Sequence, residues 1–289
     1  SPANLTVREE PGFLSAGSDR FAVRFDRLSG ALASYSVDGT ELLTEPVEPN
    51  FWRAITDNDI GNKHPERCAT WREASLNRKL VSFDWKETAG ELAVSAQFEL
   101  PTTPFASYCS MIYKVDAAGS VRIELSLQPG AGLPEIPEVG VRMALRSGFD
   151  RIRWYGRGPH ESYWDRHAGA RLGLFGGTVA GQVVPYLRPQ EHGNKTDVRF
   201  AEVRNEAGVG LAFVGEPAFE WSALPYSPFE LENATHHHLL PKTEHTVVRV
   251  GRQMGVGGDD SWGAPVHAEF TLPADRGYET AFAISPLFA

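Results

Sequence analysis

The sequence predicts an all-β fold, a single large antiparallel β-supersandwich spanning residues 1–289. Three observations carry that expectation. Alternating apolar and polar segments recur at intervals of about 10 residues, as in Glu91–Leu100 and Ser107–Val115. Turn signals separate them at Asp38-Gly39, Gly90, Ala118-Gly119 and Pro129-Gly130. No internal repeat, low-complexity tract or clear linker divides the chain, and it holds more strands than an immunoglobulin domain uses.

Taken in order, residues 5–45 read as short strands, among them Phe21–Phe25 and Ala31–Val37, joined by the turn Asp26–Gly30. Pro46 and Pro49 break that pattern. The next stretch, Asn50 to Gly61, sets Phe51 and Trp52 before an Asx cluster, Asp57-Asn58-Asp59. Such side chains cap neighbouring amides, so a rigid polar loop is expected; a Ca²⁺ loop would need a Gly and a distal Glu that the spacing lacks. One helix is expected from about Glu66 to Leu80, where Cys68, Trp71, Ala74 and Leu76 follow a helical period. Strands return at Val81–Lys86, Glu91–Leu100, Ser107–Val115, Ser120–Leu127 and Val139–Leu145. A short strand from Arg151 ends at Gly156-Arg157-Gly158-Pro159, and residues 167–200 carry little order apart from the Pro-stiffened loop Pro185–Asn194. Further strands are expected at Asp197–Val203, Gly210–Val214, Thr246–Gln253, Pro265–Leu272 and Tyr278–Ile284.

Composition narrows the function. Hydrophobic content of 42% and charged content of 22% are those of a soluble globular chain, and a net charge of -9 offers no basic surplus for nucleic acid. No apolar run approaches the roughly 20 residues of a membrane helix. The start, Ser1-Pro2-Ala3-Asn4, lacks an initiator Met and the regions of a signal peptide, so a processed or excised chain is expected, in the cytoplasm. Asn4, Asn194 and Asn233 open Asn-x-Thr triplets, which without a secretory signal are chance matches. The two cysteines, Cys68 and Cys109, suggest neither a disulfide framework nor a zinc site. His236-His237-His238 would alternate faces on a strand and has no spaced acid or Cys beside it, so no metal is expected there or elsewhere in the chain.

The stretch Met254-Gly255-Val256-Gly257-Gly258-Asp259-Asp260-Ser261-Trp262 carries the sharpest functional signal. Its glycines turn the chain tightly, and the loop closes on two acids, a serine and an indole. A solvent-facing Trp on such a loop makes a stacking platform for the apolar face of a sugar ring; the plain alternative is a Trp folded onto the core. A second group of ionisable and aromatic residues runs from His160 to Arg166. His160 beside Glu161 could do acid/base work, although adjacent strand residues point to opposite faces. Arg157, His160, Glu191 and Asn194 make up a candidate polar cleft.

Four stretches together resemble the large multidomain β-galactosidases. They are Phe51–Ala54 with Thr56–Gly61, Gly156–Glu161 with Asp165-Arg166, Pro189–Asn194 with Asp197–Arg199, and Gly255–Trp262. Their order and spacing are similar to the C-terminal domain, or small chain, of that family. The resemblance implies a galactose-mutarotase-like supersandwich, with Trp262 presented to the sugar by a loop that enters the mouth of a catalytic barrel in another domain. It further implies that the two catalytic glutamates, Mg²⁺ and a monovalent cation lie outside this chain, which would pack on a catalytic barrel domain or large subunit and act on galactosides such as lactose. The sequence departs from the commonest pattern at Ile55, His160 and Trp164. A retaining glycosidase needs two carboxyl groups about 5 to 5.5 Å apart, and no such pair is identified here. Two other readings share the fold: a free-standing aldose epimerase, for which His160 and Glu191 are the best acid/base candidates, and a carbohydrate-binding module.

Overall fold

The computed structural model describes residues 5–260 and 262–289. An N-terminal meander of β1 (Thr6–Glu10), β2 (Phe13–Gly17), β3 (Phe21–Asp26), β4 (Leu32–Val37) and β5 (Thr40–Glu41) leads into β6 (Leu43–Asn50). Three short helices follow, α1 (Asp57–Gly61), α2 (His64–Arg67) and α3 (Ala69–Leu76). Then β7 (Lys79–Thr88), β8 (Glu91–Leu100), β9 (Ser107–Asp116) and β10 (Val121–Gln128) run as successive hairpins. The chain continues through β11 (Glu138–Arg146), β12 (Arg151–Gly158), β13 (Arg171–Thr178), β14 (Lys195–Arg204) and β15 (Gly210–Leu224). Helix α4 (Pro228–Asn233), β16 (His245–Gln253) and β17 (Tyr278–Leu287) complete it.

Every strand pairing is antiparallel. Strand β17 joins β10, and β15 links the halves of the structure. Its residues Gly210–Gly215 pair with β17, and Glu220–Leu224 pair with β16. From β16 the ladder passes to β11 and on to β6, which also touches β4 and so ties in the N-terminal meander. The expected supersandwich is therefore present.

Alternation on the strands produces the core. Leu92, Val94, Ala96, Phe98 and Leu100 of β8, Met111, Tyr113 and Val115 of β9, and Val121, Ile123, Leu125 and Leu127 of β10 are all buried. They face the buried side of β3, where Phe25 meets Tyr113 edge-on at 5.1 Å. Each fully buried side chain of this size stabilises the fold by roughly 1.5 to 3 kcal/mol in transfer free energy.

Several elements differ from the sequence expectation. Strand β6 runs through Pro46 and Pro49; its register with β11 shifts between Glu48 and Glu45, so Pro46 falls at an irregularity, while Pro49 stays in register opposite Val141. The expected helix over 66–80 is broken at Cys68 into α2 and α3, and Lys79 and Leu80 already belong to β7. Strand β13 occupies part of the stretch expected to carry little order, and among the described residues it pairs only with β12. Strand β15 extends past Pro217 to Leu224, well beyond the expected Val214. Residues Pro265–Leu272 form no strand, only a 3₁₀ turn at Ala268–Phe270. His237–Leu239 is likewise a 3₁₀ turn, and all three histidines of the run 236–238 face solvent, so none reaches an interior partner. Both cysteines are free and buried.

Candidate functional site

The Gly-rich segment after β16 is held from below. Thr56 caps α1 by accepting from Asp59 N–H (3.1 Å), and Asp59 accepts in return from Thr56 N–H (2.9 Å). The expected polar loop at Asp57–Asp59 is thus a capped helical turn. Capping aims the Asp59 carboxylate inward, where Arg53 Nη1 and Nη2 donate to its two oxygens at 2.9 and 3.3 Å. Arg53 Nη2 also donates to Gly255 O (3.2 Å), so the guanidinium bridges α1 and the first foot of the loop. Burial alone would drive Arg53 toward its neutral form, but Asp59 and then Glu191 outweigh it and hold the charge. Burial opposes ionisation of Asp59 too, and Arg53 overcomes it.

Further contacts fix the loop's course. Asp165 Oδ2 accepts from Gly257 N–H (2.8 Å). The Asn58 amide, oriented so that both atoms are satisfied, donates to Asp260 O (3.1 Å) and accepts from Gly258 N–H (3.2 Å). Asp260 Oδ1 accepts from Trp262 N–H (2.9 Å) and Ala264 N–H (3.0 Å), and these backbone donors pull its pKa below the usual range. Beside it, Asp259 pairs with His267 and raises that imidazole's pKa. Gly61 lies against the far side: a Cβ there would come 2.7 Å from Gly263 Cα and 2.9 Å from Trp262 O. Of the three glycines that turn the chain, Gly257 (φ 74°) and Gly258 (φ 128°) take the left-handed conformations that favour glycine, and Gly255 does not. Gly255 is required for a different reason, since a Cβ would strike the Asp165 carboxylate.

On this seat Trp262 stands 87% exposed, against 0 to 1% for Trp52, Trp71, Trp154 and Trp221. Gly258, Asp259 and Asp260 precede it in the loop, and Ser261 lies outside the described residues. A groove of about 810 Å³ opens elsewhere on the molecule, lined among others by Trp164, Asp197, Glu216, Glu220, Arg252 and Tyr278. Trp262 does not line it.

The proposed polar cleft is split. Glu191 is buried and accepts from Arg249 Nη2 at 2.6 and 2.8 Å, from Tyr163 Oη at 3.2 Å and from Gln253 Nε2 at 3.3 Å. Arg249 also pairs with Glu138, and Asn194 donates to Ser162 O and Glu220 Oε2, both at 3.0 Å. Glu191 and Asn194 therefore belong to an interior network beneath the loop. Arg157 is directed elsewhere, to Asp197 (2.5 Å) and Ala170 O (3.0 Å), and His160 is exposed. Among the described residues no hydrogen bond joins His160 to Glu191, or His160 to Glu161, which is taken by Arg166 (2.6 Å) and Gly193 N–H (2.7 Å). The acid/base pairs suggested by sequence are not assembled. Sequence reasoning missed Asp165 as an anchor, and Arg53 and Arg249 as the interior cations; an Arg inside the apolar run Phe51-Trp52-Arg53-Ala54 was the one visible signal.

The broad antiparallel supersandwich is galactose mutarotase-like in fold. The solved structure of a GalM/aldose epimerase homologue from C. elegans matches 95% of this chain and 98% of its own with a TM-score of 0.51, at 9% identity, which is a likeness of fold. The sequence is more specific. The profile of the beta galactosidase small chain family matches residues 17–284, and the chain belongs to that family. It is 46% identical over 284 residues to a beta-galactosidase from Priestia megaterium, covering 98% of this chain and 27% of that protein. It is 32% identical to the beta-galactosidase small subunit of Latilactobacillus sakei, covering 92% of each. The chain thus spans about a quarter of the length of the single-chain relatives and nearly all of the small subunit.

Proposed function

We propose that this chain is the non-catalytic part of a β-galactosidase that shapes the galactoside site, with Trp262 as the stacking surface and a catalytic barrel domain or large subunit as its partner. One observation carries the reading: a Trp 87% exposed at the tip of a loop whose feet are fixed by buried ionic contacts. An indole left in water costs free energy unless something covers it, and the rigid seat removes the option of folding it back. Trp262 lines none of the 810 Å³ groove, which favours a site completed from outside the chain. On this reading the carboxylates that cleave the galactoside, with the Mg²⁺ and monovalent cation implied by the family, belong to the partner. The Asx cluster does not suit such a cation, because Arg53 and Thr56 occupy the Asp59 oxygens and Gln190 occupies Asp57. The free, buried cysteines accord with a reducing, cytoplasmic setting. An epimerase activity is disfavoured because Glu191 is buried and taken by Arg249, Tyr163 and Gln253, while His160 is exposed. The test is hydrolysis of a chromogenic galactoside by the chain alone and by the chain combined with its barrel-bearing partner. Activity only in the combination is expected; turnover by the pure chain alone, or mutarotation of fresh galactose that depends on His160 or Glu191, would overturn the proposal.

A further inference from the structure

We propose that His64, Cys68 and Glu135 form a binding site for a borderline divalent cation of the zinc class. The one-turn helix α2 places His64 and Cys68 four residues apart, and Cys68 N–H donates to His64 O at 2.9 Å, which sets both side chains on one face. Glu135 comes from the loop before β11. Its backbone neighbours are fixed on both sides: Pro134 O accepts from Trp71 Nε1 (3.0 Å), and Ile136 N–H donates to Leu272 O (2.8 Å). One ligand atom from each of the three side chains lies within 4.8 Å of the others.

His64 supplies the second, independent observation. It is fully buried, stacked on Trp52 with ring centroids 5.7 Å apart, yet neither ring nitrogen has a hydrogen-bond partner. A buried imidazole usually satisfies at least one nitrogen, so an orphaned pair beside a thiol and a carboxylate calls for a ligand. Metal–ligand bonds of about 2.0 to 2.3 Å in tetrahedral geometry need ligand atoms roughly 3.3 to 3.8 Å apart, within reach of small side-chain rotations from the present spacing. The donor set of one imidazole, one thiolate and one carboxylate suits zinc rather than Mg²⁺ or Ca²⁺, which prefer all-oxygen shells. Binding releases the Cys68 thiol proton to solvent, and the thiolate and Glu135 carboxylate then balance the two positive charges. Arg67, now 2.5 Å from a Glu135 oxygen, can keep the carboxylate oriented through its second oxygen. Water would complete the shell. This departs from the expectation of no metal, which weighed the Asx cluster, the histidine run and the two cysteines but did not set Cys68 beside His64 and Glu135. The consequence would be a clamp joining α2 to the loop before β11, next to the helical turn on which Trp262 is seated.

The full chain, stripped with chelator, is titrated with Co²⁺ alone and then with Zn²⁺. The expected result is binding of one equivalent, with an ultraviolet thiolate-to-cobalt charge-transfer band and visible bands of tetrahedral intensity that Zn²⁺ abolishes. Cys68→Ser should remove the charge-transfer band, and Cys109→Ser should retain it. Should Cys68→Ser fail to fold, His64→Gln serves in its place, with weaker binding and a shifted visible spectrum. Zn²⁺, and not Mg²⁺, should raise the thermal midpoint of the wild type. Absence of a thiolate band in the wild type, its persistence in Cys68→Ser, or cobalt binding lost only when the run 236–238 is replaced would overturn the site.

Discussion

Replacing Trp262 by alanine separates packing from function, because the two predict opposite results. A Trp side chain buries about 150 to 250 Å² when enclosed, but Trp262 is 87% exposed, so roughly an eighth of its surface is in contact. At about 25 cal/mol per Å², the roughly 20 to 30 Å² involved contributes only about 0.5 to 0.8 kcal/mol to folding. Trp71, wholly buried and bonded to Pro134 O, should instead cost about 3 to 5 kcal/mol on truncation to alanine. Urea denaturation of both variants measures this directly. In the proposed assembly with a barrel-bearing partner, Trp262→Ala should lose about 1 to 3 kcal/mol of galactoside binding, the size of an ordinary ring-stacking contact. Isothermal titration with a non-hydrolysed galactoside reads that loss. A stability loss above about 2 kcal/mol with unchanged affinity would mean that the indole is core, and the proposed role of the loop would fail.

The remaining predictions concern the seat and the interior charges. Arg53→Met should cost about 3 to 5 kcal/mol by leaving Asp59 buried without its partner, whereas the double change with Asp59→Leu should recover much of that; galactoside affinity should stay low in both, since Gly255 O has lost its donor, and affinity returning with stability would refute the positioning role. Gly61→Ala should weaken galactoside binding more than folding, because its Cβ meets the backbone of Trp262 and Gly263; equal binding in variant and wild type would count against the seat. Burial lowers Lys195 to about 8 from 10.5, so the folded state holds fewer protons than the unfolded one between those values and stability rises across that window. Measured against Lys195→Met, the gain should be about 3 kcal/mol at roughly 1.4 kcal/mol per pH unit; parallel curves would exclude it. Burial raises Glu220 to about 8 from 4.5, with the opposite sign: stability present below pH 4.5 is lost as pH rises through 8. Against Glu220→Gln the loss should be on the order of a few kcal/mol, reduced because one edge of Glu220 reaches the groove; no slope difference would contradict it.

Strands with local signals were legible and strands defined by distant partners were not. Strand β8 matches its expected bounds, and β9, β10, β11 and β16 match within a residue or two, because alternation and a terminal turn are written in each segment. Strand β13 reads Arg-Leu-Gly-Leu-Phe-Gly-Gly-Thr, and its three glycines hide a strand that exists only because β12 offers it a ladder. The second half of β15 likewise depends on β16 across Pro217. Conversely, Pro265–Leu272 has apolar residues at suitable spacing but forms only a 3₁₀ turn at Ala268–Phe270. The loop itself was legible from its glycines and its Trp. Its seat was not, since Arg53 and Gly255 are 202 residues apart in sequence and no local pattern relates them.

The interior beneath the loop is unusually ionic for a sandwich core. Arg53, Asp59, Glu138, Glu191, Lys195 and Arg249 are each at most 5% exposed. Well-packed apolar residues would commonly be as stable there or more so, because desolvating a charge can cost more than its partner returns. Stability alone therefore gives no reason for so many buried charges at one place. Their directions supply one. Arg53 reaches Gly255 O, and Arg249 engages Glu191 and Glu138, while Gln253, the last residue of β16, donates to Glu191 at the point where the strand gives way to the loop. Hydrophobic contacts tolerate sliding, whereas a forked guanidinium fixed on two carboxylates tolerates little. The network thus converts folding free energy into the position of one backbone segment, and the residue which that segment carries outward is Trp262.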